Sequence, residues 1–134
     1  PIVGNVRLGE RIDDMPQEPV VECTFFIPIR RDANLSDAEL HPPELWEWLD
    51  MELYRCFQGR TIAPGLYEGF YQDSQTQNRV ADQSRKFLVA VTPNHVDQLR
   101  SLLSAVCLLF QQKCIYLAVA GQVEFIEAPD YGSS

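Results

Sequence analysis

The sequence lacks the features that would assign it to a membrane or secreted class. No apolar run approaches the roughly 20 residues that a membrane-spanning helix needs. Residues 1–7 show no basic segment followed by an apolar stretch of the kind that directs secretion. Apolar residues make up 46% of the chain and charged residues 22%, as in an ordinary globular protein. We therefore expect a cytoplasmic protein with no membrane partner.

Cysteine is scarce, and its spacing does not suit a metal site. The four cysteines form neither a Cys-x-x-Cys pair nor a cluster with histidine. The apolar pattern places Cys23, Cys56 and Cys107 on buried faces, where a reduced thiol behaves as a small apolar group. The sequence predicts reduced thiols, no metal and no cofactor.

Basic residues are few. Eleven of them oppose nineteen acidic residues, and the resulting net charge of −8 repels a phosphate backbone. The basic pairs Arg30-Arg31 and Arg85-Lys86 are typical of solvated strand ends. We expect no nucleic-acid partner.

Common enzyme motifs are also missing. The chain contains no glycine-rich phosphate loop, no Gly-x-Ser-x-Gly and no His-Glu-x-x-His. His41 could act as a general base, but it precedes two prolines and the sequence offers it no partner. The absence of these motifs favours a binding module over an enzyme.

One pattern occurs twice: an apolar strand, an amphipathic helix and a second strand. The first copy covers residues 20–29, 42–57 and 66–72, and the second covers residues 87–91, 93–112 and 114–120. Two such units predict an α+β fold of the ferredoxin-like type (βαββαβ), with an antiparallel sheet and two helices on one face.

The remaining segments complete the predicted organisation. Residues 1–19 have no sustained period and are interpreted as a flexible arm, residues 20–128 as a single domain and residues 129–134 as a tail. Gly59 suits the left-handed end of the first helix. Gly121-Gln122 suits a type II′ hairpin that adds a further terminal strand.

The first helix has two large apolar residues outside its core stripe. At helical spacing, Trp48 and Met51 lie off the face formed by residues such as Leu49 and Leu53. They would contact the second subunit of a homodimer. Alternatively, the loop before the helix covers Trp48.

The sheet face turned away from the helices has a mixed composition. Alternation puts Thr24 and Phe26 on that face, together with residues of later strands, including either Tyr67 and Tyr71 or their neighbours. Aromatic, hydroxyl and charged groups on one open face predict a ligand floor or a subunit contact. The predicted ligand-binding residues are Thr24, Phe26, Tyr71, Asp82, Ser84 and Tyr116.

Short motifs between residues 57 and 120 resemble those of small bacterial domains with no assigned reaction. They are a Phe-x-Gly-x-Thr after a helix, Gly-aromatic in a strand, acid-x-Ser in the next strand and Phe-x-Gln at the end of the second helix. They correspond to Phe57 to Thr61, Gly69-Phe70, Asp82 to Ser84 and Phe110 to Gln112. The resemblance implies no activity, but it singles out Gly59, Thr61, Gly69, Asp82 and Ser84.

The sequence thus favours a homodimeric module that binds a small molecule or a protein. One alternative is an enzyme of the dimeric α+β barrel type acting on an apolar organic substrate. Its candidate catalytic residues are Asp82, His41, Tyr67 and Tyr71, and burial would raise the pKa of Asp82. A second alternative is an adaptor or inhibitor of another protein.

Overall fold

The computed structural model describes residues 19–72 and 79–129. The predicted arm and tail lie almost wholly outside these residues, and so does the side chain of Tyr71. The strands are β1 (Val21–Pro28), β2 (Thr61–Ile62), β3 (Tyr67–Gln72), β4 (Arg79–Val91), β5 (Cys114–Val119) and β6 (Gln122–Glu127). The helices are α1 (Pro43–Phe57) and α2 (Val96–Leu109), and one 3-10 turn, Pro93–His95, precedes α2.

The six strands form one antiparallel sheet with β1 at its centre. β1 lies between β4 and β5, β6 extends the sheet beyond β5, and β2 and β3 both pair with the far edge of β4. Both helices pack on the same face. The predicted ferredoxin-like fold is therefore confirmed. The sequence does not signal β2, whose Thr61 pairs with Leu88.

The alternating residues of β1 decide which face of the sheet is buried. Cys23, Phe25 and Ile27 are completely buried, and the same face continues with Phe87 on β4 and Leu117 on β5. The opposite face is left uncovered by helices. The helices and the residue after α2 close the core with Leu49, Leu53, Leu99, Leu103, Val106 and Phe110.

The end of α1 differs from the sequence-based expectation. Gln58, rather than Gly59, adopts the left-handed conformation, with a φ of 66°. Its backbone N–H donates to the carbonyl oxygen of Tyr54. This hydrogen bond satisfies a terminal carbonyl of the helix one residue earlier than the glycine suggests.

The predicted hairpin before the last strand is present, but its turn is shifted by one residue. Val119 pairs with Gln122, so the loop is Ala120-Gly121. Both loop residues have positive φ, 50° and 84°. This is the signature of a type I′ turn and not of the predicted type II′ turn.

α2 holds β6 through side-chain contacts. The Arg100 guanidinium makes a two-pronged ion pair with Glu124, with N–O distances of 2.7 and 2.9 Å. Ser104 donates its hydroxyl to the carbonyl oxygen of Glu127 at 2.7 Å. These contacts fix the added strand to the helix layer as well as to β5.

All four cysteines are free thiols in the structure. Cys23 and Cys107 are buried as predicted, whereas Cys56 is half-buried and Cys114 is exposed. Within the described residues, no helix combines the length and the apolar character needed to cross a membrane.

Candidate functional site

The open face of the sheet carries a row of aromatic rings. Phe26 contacts Tyr67 on one side and Tyr116 on the other, with ring centroids 5.7 and 5.2 Å apart. Tyr116 in turn contacts Phe125 at 6.0 Å. Phe125 is 63% exposed and Tyr67 is 39% exposed. We call these four residues the aromatic row.

Strand register brings the aromatic row together. Phe26 points away from the core because its neighbours Phe25 and Ile27 point into it. Lys86 is the register partner of Phe26, and its ammonium lies 6.0 Å from the Phe26 ring centroid and 5.4 Å from that of Tyr67. The face therefore offers flat apolar surface with a cation at its centre, which suits another ring or a protein surface.

A cleft of about 380 Å³ opens where β3 and β4 extend beyond β1. β1 ends at Pro28 opposite Ser84, so the preceding residues of β4 face the loop that follows β1. We call this space the Asp82 cleft. Its lining includes an aromatic ring, a carboxamide and five charged side chains, namely Phe70, Gln112, Arg30, Arg31, Asp32, Glu68 and Asp82.

The loop after β1 forms one wall of the Asp82 cleft because it folds back on itself. Arg30 and Leu40 form an antiparallel bridge, and the N–H of Arg31 donates to the carbonyl oxygen of Glu39 at 2.9 Å. The Arg30 guanidinium donates to the carbonyl oxygen of Ala38 at 3.2 Å, where Ala38 has a φ of 60°. A guanidinium has further N–H donors, so Arg30 can also bind an anionic group in the cleft.

Asp82 is the carboxyl group of the cleft with a perturbed pKa. Burial raises the pKa of Asp82, the backbone N–H of Gln83 lowers it by donating a hydrogen bond, and the negative charge of Asp32 raises it. Two carboxyl groups that repel each other form a site that a cation stabilises. Among the described residues, no three side chains of the metal-ligating types cluster together.

His41 anchors the base of the same loop. It is 5% exposed, and its Nε2 lies 2.8 Å from the carbonyl oxygen of Pro28, which can only accept a hydrogen bond. The buried Nδ1 atom has no partner. The ring packs edge-on against Phe110 and Trp46, at 4.7 and 5.6 Å between centroids. Burial lowers the pKa of His41, and the positive charge of Arg31 lowers it further, against the opposing effect of the Pro28 hydrogen bond.

The pKa of His41 predicts a loss of stability in acid. Because the folded pKa is depressed, the neutral ring contributes stability that is fully present above the unfolded value of about 6.5 and is lost as the pH falls through the folded pKa. We expect the free energy of unfolding, measured in urea, to fall more between pH 7.5 and pH 5 than it does in His41→Gln. The Gln amide can still donate to Pro28 but does not titrate. Parallel pH profiles for the two proteins would contradict this assignment.

The predicted site residues fall into two places. The ligand-binding candidates Thr24, Phe26, Ser84 and Tyr116 belong to strands of the open face, with Tyr67 beside them. Asp82, two residues from Ser84 on β4, also lines the cleft, because at that position β4 has passed the end of β1. The side chain of Tyr71 lies outside the described residues.

The structure also places the remaining candidates. His41 lies in the loop base and not in the lining of the Asp82 cleft. Trp48 is half-buried and packs against the core, whereas Met51 is 71% exposed on the outer side of α1. The interface role of these two residues stays a prediction.

Several cleft residues carry no signal of their own in the sequence. Asp32 and Arg30 look like ordinary polar loop residues until the loop folds back against β4. Glu68 appears only as part of an alternative strand face, and Phe70 only there and in the Gly-aromatic motif. Gln112 closes the Phe-x-Gln motif, which could have drawn attention to it.

The architecture defines an α+β protein of the ferredoxin-like class, and comparison with solved structures finds proteins of similar fold. A phage SAM lyase in complex with S-methyl-5′-thioadenosine matches with a TM-score of 0.63 and 12% sequence identity, over 87% of this chain and 98% of that chain. The phage SAM lyase in the apo state matches with a TM-score of 0.59, again at 12% identity and the same coverage. At this identity the likeness concerns the fold. No family model and no curated protein matches the sequence.

Proposed function

We propose that this protein is a small enzyme that binds S-adenosylmethionine (SAM) in the Asp82 cleft and cleaves it. The observation that carries the proposal is a cleft large enough for a nucleoside whose lining includes the carboxyl groups of Asp32 and Asp82. The fold shared with a phage SAM lyase over nearly the full length of both chains supports it. The proposal develops the enzyme alternative and departs from the binding module that the sequence favours.

The lining of the cleft matches the functional groups of SAM. Its sulfonium and α-ammonium groups are cations, which Asp32 and Asp82 would attract. Its α-carboxylate would accept hydrogen bonds from the guanidinium of Arg30. Its adenine ring would stack on Phe70, which is 58% exposed. The lining of this one cleft therefore holds a complementary partner for each of these groups of the substrate.

Formation of S-methyl-5′-thioadenosine from SAM requires one bond to break. The bond between sulfur and the γ carbon of the amino-acid arm opens, and its electron pair stays on sulfur. The γ carbon either gains a bond from the arm's own carboxylate oxygen or forms a double bond as the β carbon gives a proton to a carboxylate of the cleft or to water. Sulfur loses its positive charge during this step, whereas the α-ammonium keeps its charge. We therefore assign Asp82 to the α-ammonium, because a carboxylate at sulfur would favour the ground state.

The proposal is tested by incubating the purified protein with SAM and measuring S-methyl-5′-thioadenosine by mass spectrometry, with titration calorimetry of both compounds. We expect time-dependent product formation and weaker binding of the neutral product than of the cationic substrate. Absence of both binding and turnover would overturn the proposal. The cytoplasmic location expected from the sequence stays a prediction.

The aromatic row supports a second role, self-association through the open face of the sheet. Exposed aromatic rings in contact with one another are a common feature of protein interfaces. Phe125 lies at one end of the row and is 63% exposed. The proposed homodimer would bury this face, and it is compatible with an enzyme whose cleft lies elsewhere.

Two charge substitutions decide which surface forms the homodimer. We expect the wild type to sediment as a dimer at about 50 μM, since specific interfaces commonly have micromolar or tighter affinity. Phe125→Asp should shift it to a monomer, because a carboxylate would be buried in the interface. Met51→Asp, on the outer side of α1, is the matched control and should leave the dimer intact. The reverse pattern would locate the interface on α1, as the sequence suggests.

A further inference from the structure

Gln112 occupies an unusual position for a polar side chain. It lies in the short connection between α2 and β5 and is only 5% exposed. Its Nε2 donates to two carbonyl oxygens, that of Arg30 at 2.7 Å and that of Phe110 at 2.9 Å. Carbonyl oxygens only accept hydrogen bonds, so these contacts fix the orientation of the carboxamide. Gln112 thereby joins the end of α2 to the cleft wall.

Gln111, the residue before Gln112, holds the same wall of the Asp82 cleft at a second point. The carbonyl oxygen of Gln111 accepts the backbone N–H of Asp32 at 2.9 Å. Gln111 has a φ of 52°, a left-handed conformation that is unfavourable for a residue other than glycine. Such conformations persist where surrounding contacts determine them. Gln112 and Gln111 therefore hold this wall through two hydrogen bonds, one at the carbonyl oxygen of Arg30 and one at the backbone N–H of Asp32.

Residues 30–32, which these hydrogen bonds hold in place, contribute charged side chains to the cleft. Arg30 and Asp32 both line it, and the charge of Asp32 acts on Asp82 across the space between the loop and β4. If the carbonyl of Arg30 lost its partner, the segment would lose one of its two attachments to the end of α2. Asp32 would then be free to turn toward solvent and away from Asp82.

We infer that Gln112 is a positioning residue that holds the Arg30–Asp32 wall so that the carboxylates of Asp32 and Asp82 act together on a cationic ligand. The part concerning the ligand rests on the proposed function. Gln112 does not touch the reacting atoms in this role. It sets how strongly the cleft holds the α-ammonium group of the amino-acid arm.

The first test needs no ligand. In Gln112→Met, which keeps the length of the side chain but has no N–H, we expect the backbone amide of Asp32 to exchange hydrogen about fivefold faster, the effect of losing one neutral hydrogen bond. The pKa of Asp82, followed by carboxyl NMR, should move toward its ordinary value because the charge of Asp32 withdraws. Gln98→Met, the same change at an exposed residue of α2, is the matched control and should alter neither property.

A second variant covers the case in which Gln112→Met does not fold. Gln112→Asn keeps both N–H groups but is one carbon shorter, so it can bind the nearby carbonyl of Phe110 and not that of Arg30. Gln112→Asn should therefore also speed hydrogen exchange at the Asp32 amide and move the pKa of Asp82 toward its ordinary value. Unchanged exchange at Asp32 together with an unchanged Asp82 titration, in either folded variant, would overturn the positioning role.

The second test uses SAM and S-methyl-5′-thioadenosine, of which only SAM carries the amino-acid arm with its α-ammonium. We expect the wild type to prefer SAM and Gln112→Met to lose about two- to fivefold of that preference, the size of one partly exposed ion pair. An unchanged preference for SAM, together with faster hydrogen exchange at the Asp32 amide, would overturn the role of Gln112 in ligand binding. If neither compound binds the wild type while the NMR changes occur, the proposed function fails and the positioning role stands.

Discussion

Replacing Asp82 by Asn is expected to lower kcat/KM for SAM cleavage by about 30- to 160-fold, because a charge-assisted hydrogen bond to the α-ammonium contributes roughly 2–3 kcal/mol. The loss should appear in KM and leave kcat nearly unchanged. The α-ammonium keeps its charge throughout the reaction, so its carboxylate partner stabilises the substrate and the transition state equally. Initial rates over a range of SAM concentrations measure both constants.

The control for Asp82→Asn is the same substitution at Asp97. That carboxylate pairs with Arg100 on α2 and its side chain is 91% exposed. We expect Asp97→Asn to leave both constants at their wild-type values. A loss at Asp82 confined to kcat would show that this carboxyl group takes up a proton during the reaction instead of binding the ammonium. Wild-type kinetics in Asp82→Asn would remove it from the site.

Replacing Phe87 by Ala is expected to lower the free energy of unfolding by about 3–5 kcal/mol, the range for truncating a buried aromatic residue. Phe87 is 1% exposed on β4. Its ring stacks on that of Phe25 with 5.1 Å between centroids, and that of Trp46 lies 6.4 Å away. Urea denaturation followed by circular dichroism measures the change.

The matched control is Phe125→Ala, at an aromatic residue on the open face. The expected cost there is less than about 1 kcal/mol for a monomer, since the ring is largely solvated and its main loss is the ring contact with Tyr116. Equal losses in the two variants would mean that the aromatic row stabilises the fold as much as the core does. They would also contradict the assignment of the row to an interface.

The periodic parts of the chain could be predicted from the sequence. Alternation in β1 correctly separates Phe25 and Ile27 from Phe26, and helical spacing identifies Leu49 and Leu53 as core residues. Burial decides which residue type occupies these positions, and the buried face of a strand or helix recurs at regular spacing in the sequence. The added hairpin was also predictable, although the turn formed through Ala120-Gly121 because strand register overrode the local preference of glycine for the first loop position.

The candidate site could be predicted only in part. Asp82 stands out in the sequence through its acid-x-Ser motif, but its partner Asp32 does not. The proximity of Asp32 and Asp82 depends on how an irregular loop folds, and the sequence of such a loop has no regular apolar spacing that would predict its conformation. His41 was expected at a loop end, and its burial between Trp46 and Phe110 arises from the packing of three separate segments.

The central position of β1 also affects how the chain can fold during synthesis. Of the strands that the structure describes, β1 is the first to be translated, yet Val21 pairs with Val91 and Cys23 with Val119. Its apolar residues must wait unpaired until nearly the whole domain has been translated. A nascent chain that stalls before β5 would expose a long apolar strand edge to its neighbours. Chaperone capture of the early chain, followed by release after β5 emerges, is the folding route that this topology favours.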